Sequence, residues 1–173
     1  DSVLERAKNR LKICIDNENQ ERKHKLEDLK FLNGEQWDSG VEAERKRDGR
    51  PMITVNKLPQ FLKQVVNEQR QNSPQIKVLP AGGGSDPDTA RVFGGLIKNI
   101  EAQSRASEAY DTGFYYAAAM GEGYFRVVTQ YSADDTFDQD IRIEKINNPF
   151  SVYLDPNHQR VDGSDAKYAL ITE

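Results

Sequence analysis

The run from Asn56 to Pro74 limits the fold more than any other stretch, because side chains specify its start, its buried face and its end. Asn56 is a good N-cap, and Pro59 falls in the first turn, where a missing N–H costs little. Leu58, Phe61, Leu62, Val65 and Val66 repeat at helical spacing, while Gln60, Lys63, Gln64, Asn67 and Glu68 fill the opposite face. Ser73-Pro74 ends the helix, since the residue before proline avoids helical angles. Ile76 and Val78 alternate with Gln75 and Lys77, which predicts a half-buried strand.

Upstream, residues 2 to about 33 read as mostly helical. Leu4, Ala7, Leu11 and Cys14 share one face, and Leu26, Leu29 and Leu32 resume an apolar stripe. Between them Asp16 to Lys25 is charged almost throughout, which predicts an exposed or interrupted middle. Asn33-Gly34 supplies the stop, and Trp37 anchors the short turn that follows. Glu42 to Arg50 is the most charged stretch, and Pro51-Met52-Ile53-Thr54-Val55 reads as a short extended segment.

Downstream, Ala81-Gly82-Gly83-Gly84-Ser85 is a flexible loop. Asp86 then caps a helix with Pro87 at its first position. Ala90, Phe93, Leu96, Ile97 and Ile100 form the expected buried stripe of that helix. Gly94-Gly95 inside it costs about 1 kcal/mol per glycine relative to alanine, which predicts a closely packed neighbour. A helix from about Ser107 to Met120 presents Tyr110, Phe114, Ala117 and Ala118 on one face. Gly121-Glu122-Gly123 breaks to a strand, 124–131, which pairs through an acidic turn with Ile141-Arg142-Ile143-Glu144 as a hairpin. Val152-Tyr153-Leu154, a polar loop from Asp155 to Asp165, and a strand from near Lys167 complete the pass.

The fold class is α+β, with several amphipathic helices packed with a mostly antiparallel sheet. The expected division is a leading helix, 1–33, a helical and short-strand portion, 34–120, and a β-rich portion, 121–173. Helix at the first residues and a strand in progress at the last suggest one lobe of a longer polypeptide, truncated at its C-terminus.

Composition narrows the chemistry. In 173 residues, 36% are hydrophobic and 30% charged, enough for one domain with a core or one lobe of something larger. The net charge of −4 argues against a general nucleic-acid binder, and residues 111–173 carry most of the acidity, with 5 basic against 11 acidic residues. A single cysteine, Cys14, excludes an internal disulfide framework and suits a reducing compartment. No apolar run reaches membrane-spanning length, and no signal peptide opens the chain.

Cys14, His24 and His158 are too few for a structural zinc site, and no Gly-x-Ser-x-Gly elbow is present. The glycine loop lacks the Lys-Ser/Thr of a P-loop, and Asp86 and Asp88 stand where an anion would sit. Asp134, Asp135, Asp138 and Asp140 lack the glycine and glutamate of an EF-hand, so a solvated hairpin turn is the plainer account. Asp155, Asn157, Asp162 and Asp165 offer hard oxygen ligands to a cation, against the plainer reading of Asx-turns. Tyr115, Tyr116, Tyr124 and Phe125 are candidates for base stacking, with packing the ordinary role. Arg45, Lys46, Arg47 and Arg50 suit phosphate contacts, or else a solvated loop or exposed helix face partly neutralised by Glu42, Glu44 and Asp48.

Several segments together resemble the portal proteins of short-tailed phages. They are Phe31-Leu32-Asn33-Gly34-Glu35-Gln36-Trp37, Gly49-Arg50-Pro51-Met52-Ile53-Thr54-Val55-Asn56-Lys57-Leu58-Pro59 and Asn67-Glu68-Gln69-Arg70-Gln71-Asn72-Ser73-Pro74. Further on come Ala117-Ala118-Ala119-Met120-Gly121-Glu122-Gly123-Tyr124-Phe125-Arg126-Val127, Asn148-Pro149-Phe150-Ser151-Val152-Tyr153-Leu154-Asp155-Pro156 and Asp162-Gly163-Ser164-Asp165-Ala166. They follow the family's order across about residues 29 to 170. The resemblance implies the outer wing of a subunit in a dodecameric ring at one capsid vertex. Double-stranded DNA is packaged through that ring by a terminase and later leaves toward the tail.

Its implied partners are further copies of itself, terminase, scaffold or capsid proteins and tail adaptors. It implies no cofactor, no catalytic residue and no membrane, and a place in the virion after synthesis in the bacterial host cytoplasm. Helix 56–71, with Lys63 and Arg70, is a candidate subunit contact. The rival readings are a nucleic-acid-binding module built on residues 45–50 and a divalent-metal-dependent enzyme built on Asp155, Asp162 and Asp165.

Overall fold

Along the chain the helices are α1 (Val3–Leu32), α2 (Ser39–Arg47), α3 (Leu58–Gln71), α4 (Pro87–Ser104) and α5 (Ala106–Met120). The strands β1 (Phe125–Tyr131), β2 (Gln139–Lys145), β3 (Val152–Leu154) and β4 (Ala169–Ile171) follow, with a 3₁₀ turn at Pro149–Ser151. The computed structural model describes residues 2–72, 75–82, 84 and 86–172. Its contacts gather into two units, one of residues 1–62, 119–121 and 148–173, the other of 63–118 and 122–147. The antiparallel part of the fold is two separate two-stranded ribbons, β1–β2 and β3–β4, rather than one sheet.

In the first unit α1 runs without interruption for 30 residues. A capping box starts it: Glu5 N–H donates to Ser2 Oγ at 3.2 Å, and Ser2 N–H donates to Glu5 Oε2 at 3.0 Å. It stops at Gly34, whose φ of 105° few other residues adopt. There Gly34 N–H donates to Phe31 O and Glu35 N–H to Lys30 O, the paired bonds of a Schellman motif.

The inward stripe of α1 is Ala7, Leu11, Cys14, Glu18, Arg22, Lys25, Leu29 and Leu32, at alternating steps near three and four. Leu4 and Leu26, expected on that stripe, are exposed. The charged middle neither breaks the helix nor leaves the stripe, because Arg22 docks it. Its guanidinium donates to Phe150 O at 2.6 Å and to Val152 O, lies 3.8 Å from the Tyr153 ring centroid, and pairs with Glu18 at 2.8 Å. Cys14, fully buried, donates its thiol to Leu154 O at 3.2 Å, and burial pushes that thiol's pKa up.

β3 and β4 pair antiparallel, with Tyr153 opposite Leu170. Asp155 closes the long loop between them. It is 2% exposed, accepts the Asn157 N–H and side-chain amide at 3.0 Å each, and accepts the Lys167 N–H at 3.3 Å. Asn56 serves two helices as well as capping α3. Its Oδ1 accepts Leu58 N–H at 3.2 Å, and its Nδ2 donates to Leu32 O at 2.7 Å.

In the second unit Asp86 caps α4 by accepting Asp88 N–H and Thr89 N–H, as the sequence indicated. The backbone N–H of Asp88, foremost, holds the Asp86 carboxyl below its ordinary range. The inward side of α4 is Ala90, Gly94, Ile97, Ile100 and Ser104; Ala90, Ile97 and Ile100 lie on it as expected, while Phe93 and Leu96 are exposed. A Cβ at Gly94 or Gly95 would meet nothing within 4 Å, so the close neighbour expected there is not among the described residues. On α5 the buried positions are Ala106, Ala109, Gly113 and Met120, while Ala117 and Ala118 face outward. The hairpin β1–β2 forms as expected, Phe125 opposite Lys145 and Tyr131 opposite Gln139. It meets the helices through Ile143 N–H donating to Ser104 Oγ at 3.1 Å and through Tyr110 edge-on to Phe125 at 5.1 Å.

Gly123 passes so close to α5 that a Cβ there would lie 1.7 Å from the Gly113 carbonyl oxygen. No strand forms over 75–80, where Ile76 and Leu79 are exposed: alternation marks a face, and a ladder also needs a partner strand. Ser73-Pro74, read as the stop of α3, and Gly83 and Ser85 of the glycine loop lie outside the described residues.

Three outcomes follow from this packing. Arg22→Met strands two main-chain acceptors and should lower unfolding free energy by roughly 2 kcal/mol in urea titration, with Arg22→Lys recovering only part because it lacks the planar fork. Gly123→Ala sets a methyl against backbone and should destabilise by about 3 kcal/mol or more, read by thermal denaturation. The Asn157 N–H, foremost, holds the Asp155 carboxyl below its ordinary range, and the Asp165 carboxyl is held down chiefly by Gln159 N–H. A depressed carboxyl stabilises the fold above its unfolded value of about 4 and loses that effect as pH falls through the folded value. Thermal stability should therefore drop below about pH 4, with a shallower drop in Asp155→Asn.

Candidate functional site

The most charged stretch of the sequence becomes a capped helix. Asp38 Oδ1 accepts Gly40 and Val41 N–H at the start of α2, and Gly49 at φ 63° ends it with a second Schellman pair. The basic residues do not form one free cluster. Arg45 is structural: it donates to Pro51 O at 2.9 Å and lies 4.7 Å from the Trp37 ring, whose Nε1–H donates to Thr54 Oγ1 at 3.0 Å. Lys46 pairs with Glu42 at 2.6 Å. Arg47 and Arg50 meet on opposite oxygens of Asp48 at 3.5 and 3.6 Å.

Lys46, Arg47 and Arg50 remain largely exposed, so the helix end can touch a phosphate or a neighbouring carboxylate. The open groove of about 750 Å³ beside it is lined by Phe31, Trp37 and Met52 together with Glu27, Glu35, Asp38, Glu42 and Lys30, an acidic balance that disfavours phosphate there.

Lys63 is exposed on α3. Arg70, two turns on along the same face, donates to Asp111 Oδ2 at 2.7 Å and ties α3 to α5.

The acidic candidates are spent locally. Asp155 is committed to main-chain and amide N–H as above. Asp162 Oδ1 accepts Ser164 N–H at 3.1 Å, and Asp165 accepts Gln159 and Arg160 N–H at 2.8 and 3.2 Å. Asn157 faces Asp155 as a donor. The Asp155–Asn157 and Asp162–Ser164 bonds are Asx-turns, the Asp165 and Lys167 bonds tie the loop across itself, and among the described residues no three His, Cys, Asp or Glu side chains converge as a metal-holding group. In the hairpin, Asp140 pairs with Arg142 at 2.9 Å. The aromatic candidates also have local posts: Tyr116 OH donates to Asn147 O, Tyr124 OH to Glu122, Tyr115 sits edge-on to Tyr116, and Phe125 to Tyr110.

What the structure offers instead is surface. Large apolar side chains stand exposed, including Val92, Phe93 and Leu96 on α4 and Val127 and Tyr131 on β1. Phe137, in the turn between β1 and β2, is 93% exposed. In the first unit a mostly apolar hollow of about 310 Å³ lies between α1 and the 149–153 segment, lined by Ile15, Leu26, Phe150 and Tyr153 with Arg22 and Lys23. Sequence reasoning missed both features. Phe137 was visible only as one aromatic within an acidic turn, and the hollow depends on side chains 130 residues apart.

A profile of the phage P22-like portal protein family matches residues 8–173. A portal protein of Acyrthosiphon pisum secondary endosymbiont phage 1 is 30% identical over 155 residues, which covers 84% of this chain and 22% of that relative. The chain thus spans about a fifth of the relative's length. Among the described residues no helix is long and apolar enough to cross a membrane. With its match running nearly end to end, the chain belongs to the phage P22-like portal protein family.

Proposed function

We propose that this chain is a wing-like part of a portal subunit whose role is structural. Full-length copies build a ring at one capsid vertex, of twelve subunits by the family resemblance, and double-stranded DNA enters and leaves through its centre. The observation that carries this reading is the family match across residues 8–173. The exposed large apolar side chains of each unit support it, because subunits of an assembly carry surface that only neighbours cover.

In this reading terminase, scaffold or capsid proteins and tail adaptors dock on the assembled ring, and the protein ends in the virion after synthesis in the host cytoplasm. The part described here holds no cofactor and performs no catalytic step. The exposed end of α2, with Lys46, Arg47 and Arg50, supplies polar contacts to DNA or to a neighbouring subunit. The outer face of α3 supplies a subunit contact through Lys63.

Negative-stain electron microscopy of the full-length gene product tests the reading. Rings with a central channel are expected, and a monodisperse monomer across salt and concentration would overturn it. Lys63→Glu should raise the protein concentration needed for rings by about tenfold, the effect of placing a wrong charge in a contact worth about 1.4 kcal/mol. Rings at an unchanged concentration would remove α3 from the interface.

A further inference from the structure

Two surface features of this chain fit each other, one in each unit. The first is a knob. Phe137 projects from the β1–β2 turn at 93% exposure. The turn that carries it is fixed by Ser132 N–H donating to Asp138 O at 2.9 Å, Thr136 N–H to Ala133 O at 3.4 Å and Asp138 N–H to Thr136 Oγ1 at 3.1 Å. Asp134, Asp135 and Asp138 lie within three residues of it in the same turn. A phenyl group held out in water by an ordered turn gains nothing for the fold that carries it, and presenting it costs hydrophobic free energy. Turns ordinarily place small or polar side chains there.

The second is a hole. The hollow beside α1 has Ile15 and Leu26 on one wall and Phe150 and Tyr153 on the other. Its volume is about 310 Å³, and an apolar cavity of about 150 Å³ already accepts benzene. Its charged side chains are both cationic, Arg22 and Lys23, with Lys23 exposed. An aromatic with acidic neighbours matches an apolar hollow with cationic neighbours in size, polarity and sign. Buried aromatic anchors in pockets are also where interfaces concentrate their binding energy.

We infer that the Phe137 turn of one copy seats in the α1 hollow of another, with Asp134 or Asp135 facing Lys23. Knob and hole are different surfaces, so the contact is heterologous and propagates head to tail, which closes into a ring when the rotation allows. The inference rests on the ring reading above and names the pair of surfaces that joins neighbours in it.

The test uses full-length protein and reads assembly by sedimentation velocity and negative stain. Phe137→Ser, which removes the knob, and Leu26→Glu, which blocks the hole, should each raise the half-assembly concentration by roughly 30-fold or more. Both positions are solvent-facing, so circular dichroism and melting temperature should match the parent. The two variants mixed should form heterodimers and stop, since each mixed pair has one good contact and one spoiled one. Lys23→Glu should weaken assembly, and adding Asp135→Lys should restore it. If rings form but Phe137→Ser assembles at the parent concentration, or the charge swap restores nothing, this inference fails and the portal reading stands. If the parent protein never forms rings, the portal reading fails first. A mixture that forms full rings, or an effect of Phe137→Ser that does not change with protein concentration, assigns the turn elsewhere and overturns the contact.

Discussion

The first unit depends on how one guanidinium is held. Arg22 sits near the middle of a 30-residue helix whose central stretch is charged almost throughout, and it is the group that fastens that stretch to the rest of the unit. Two main-chain carbonyls, the face of Tyr153 and the carboxylate of Glu18 surround it. Arg10 repeats the stacking half of the device on Tyr168 at 4.6 Å, one strand over. Between them Cys14 closes the seam with its thiol on Leu154 O. The consequence is a small ribbon held less by apolar burial than by directional contacts from one helix. Among the described residues of this unit the buried apolar side chains are few: Cys14, Leu62, Met120, Pro149 and Val152. With so thin a core, carbonyls left without donors matter more than a lost methylene.

Chain punctuation was legible in the sequence and chain coverage was not. Asn33-Gly34, Asp86-Pro87 and the pair of strands around the acidic turn are local devices. Their chemistry is complete within four or five residues, and each appears where it was read. The stripe of α4 shows the opposite case. Hydrophobic spacing placed Phe93 and Leu96 beside Ala90, Ile97 and Ile100, yet the inward side takes Gly94 and Ser104 in their place. Periodicity finds a face that wants cover, and cover in this chain is short. Phe93 and Leu96 stay about half exposed, 54% and 49%. The same shortage explains Gly94-Gly95, where the reading supposed a neighbour, and Ile76 and Val78, where it supposed a ladder.

The candidate sites divide along the same line. Arg45 and Asp155 read as ligands in a sequence because each is charged in a polar loop or at a helix end. In the fold both satisfy backbone, one on Pro51 O and one on the N–H groups of Asn157 and Lys167. Nothing within a few residues of either discloses that. Family membership was legible through segments in order, such as Asn148-Pro149-Phe150, where Asn148 accepts Phe150 N–H and opens the turn that receives Arg22. These segments are folding signals, so they identify the fold and leave its interfaces to be worked out from exposed surface.

That surface bears on stability as well as on assembly. If neighbours cover Phe93, Leu96, Val127 and Phe137 in the full protein, every covered square ångström stabilises the assembled subunit and none of it stabilises the free one. A subunit built this way is marginal alone and firm in a ring, with the coupling set by protein concentration. A different kind of contact fixes the elements within each unit. The anchors that fix them are hydrogen bonds and ion pairs, such as Arg22 on Val152 O and Ser104 under Ile143, whose geometry is not interchangeable. Directional contacts therefore set the shape of each unit, and the apolar area they leave open is available to hold copies together.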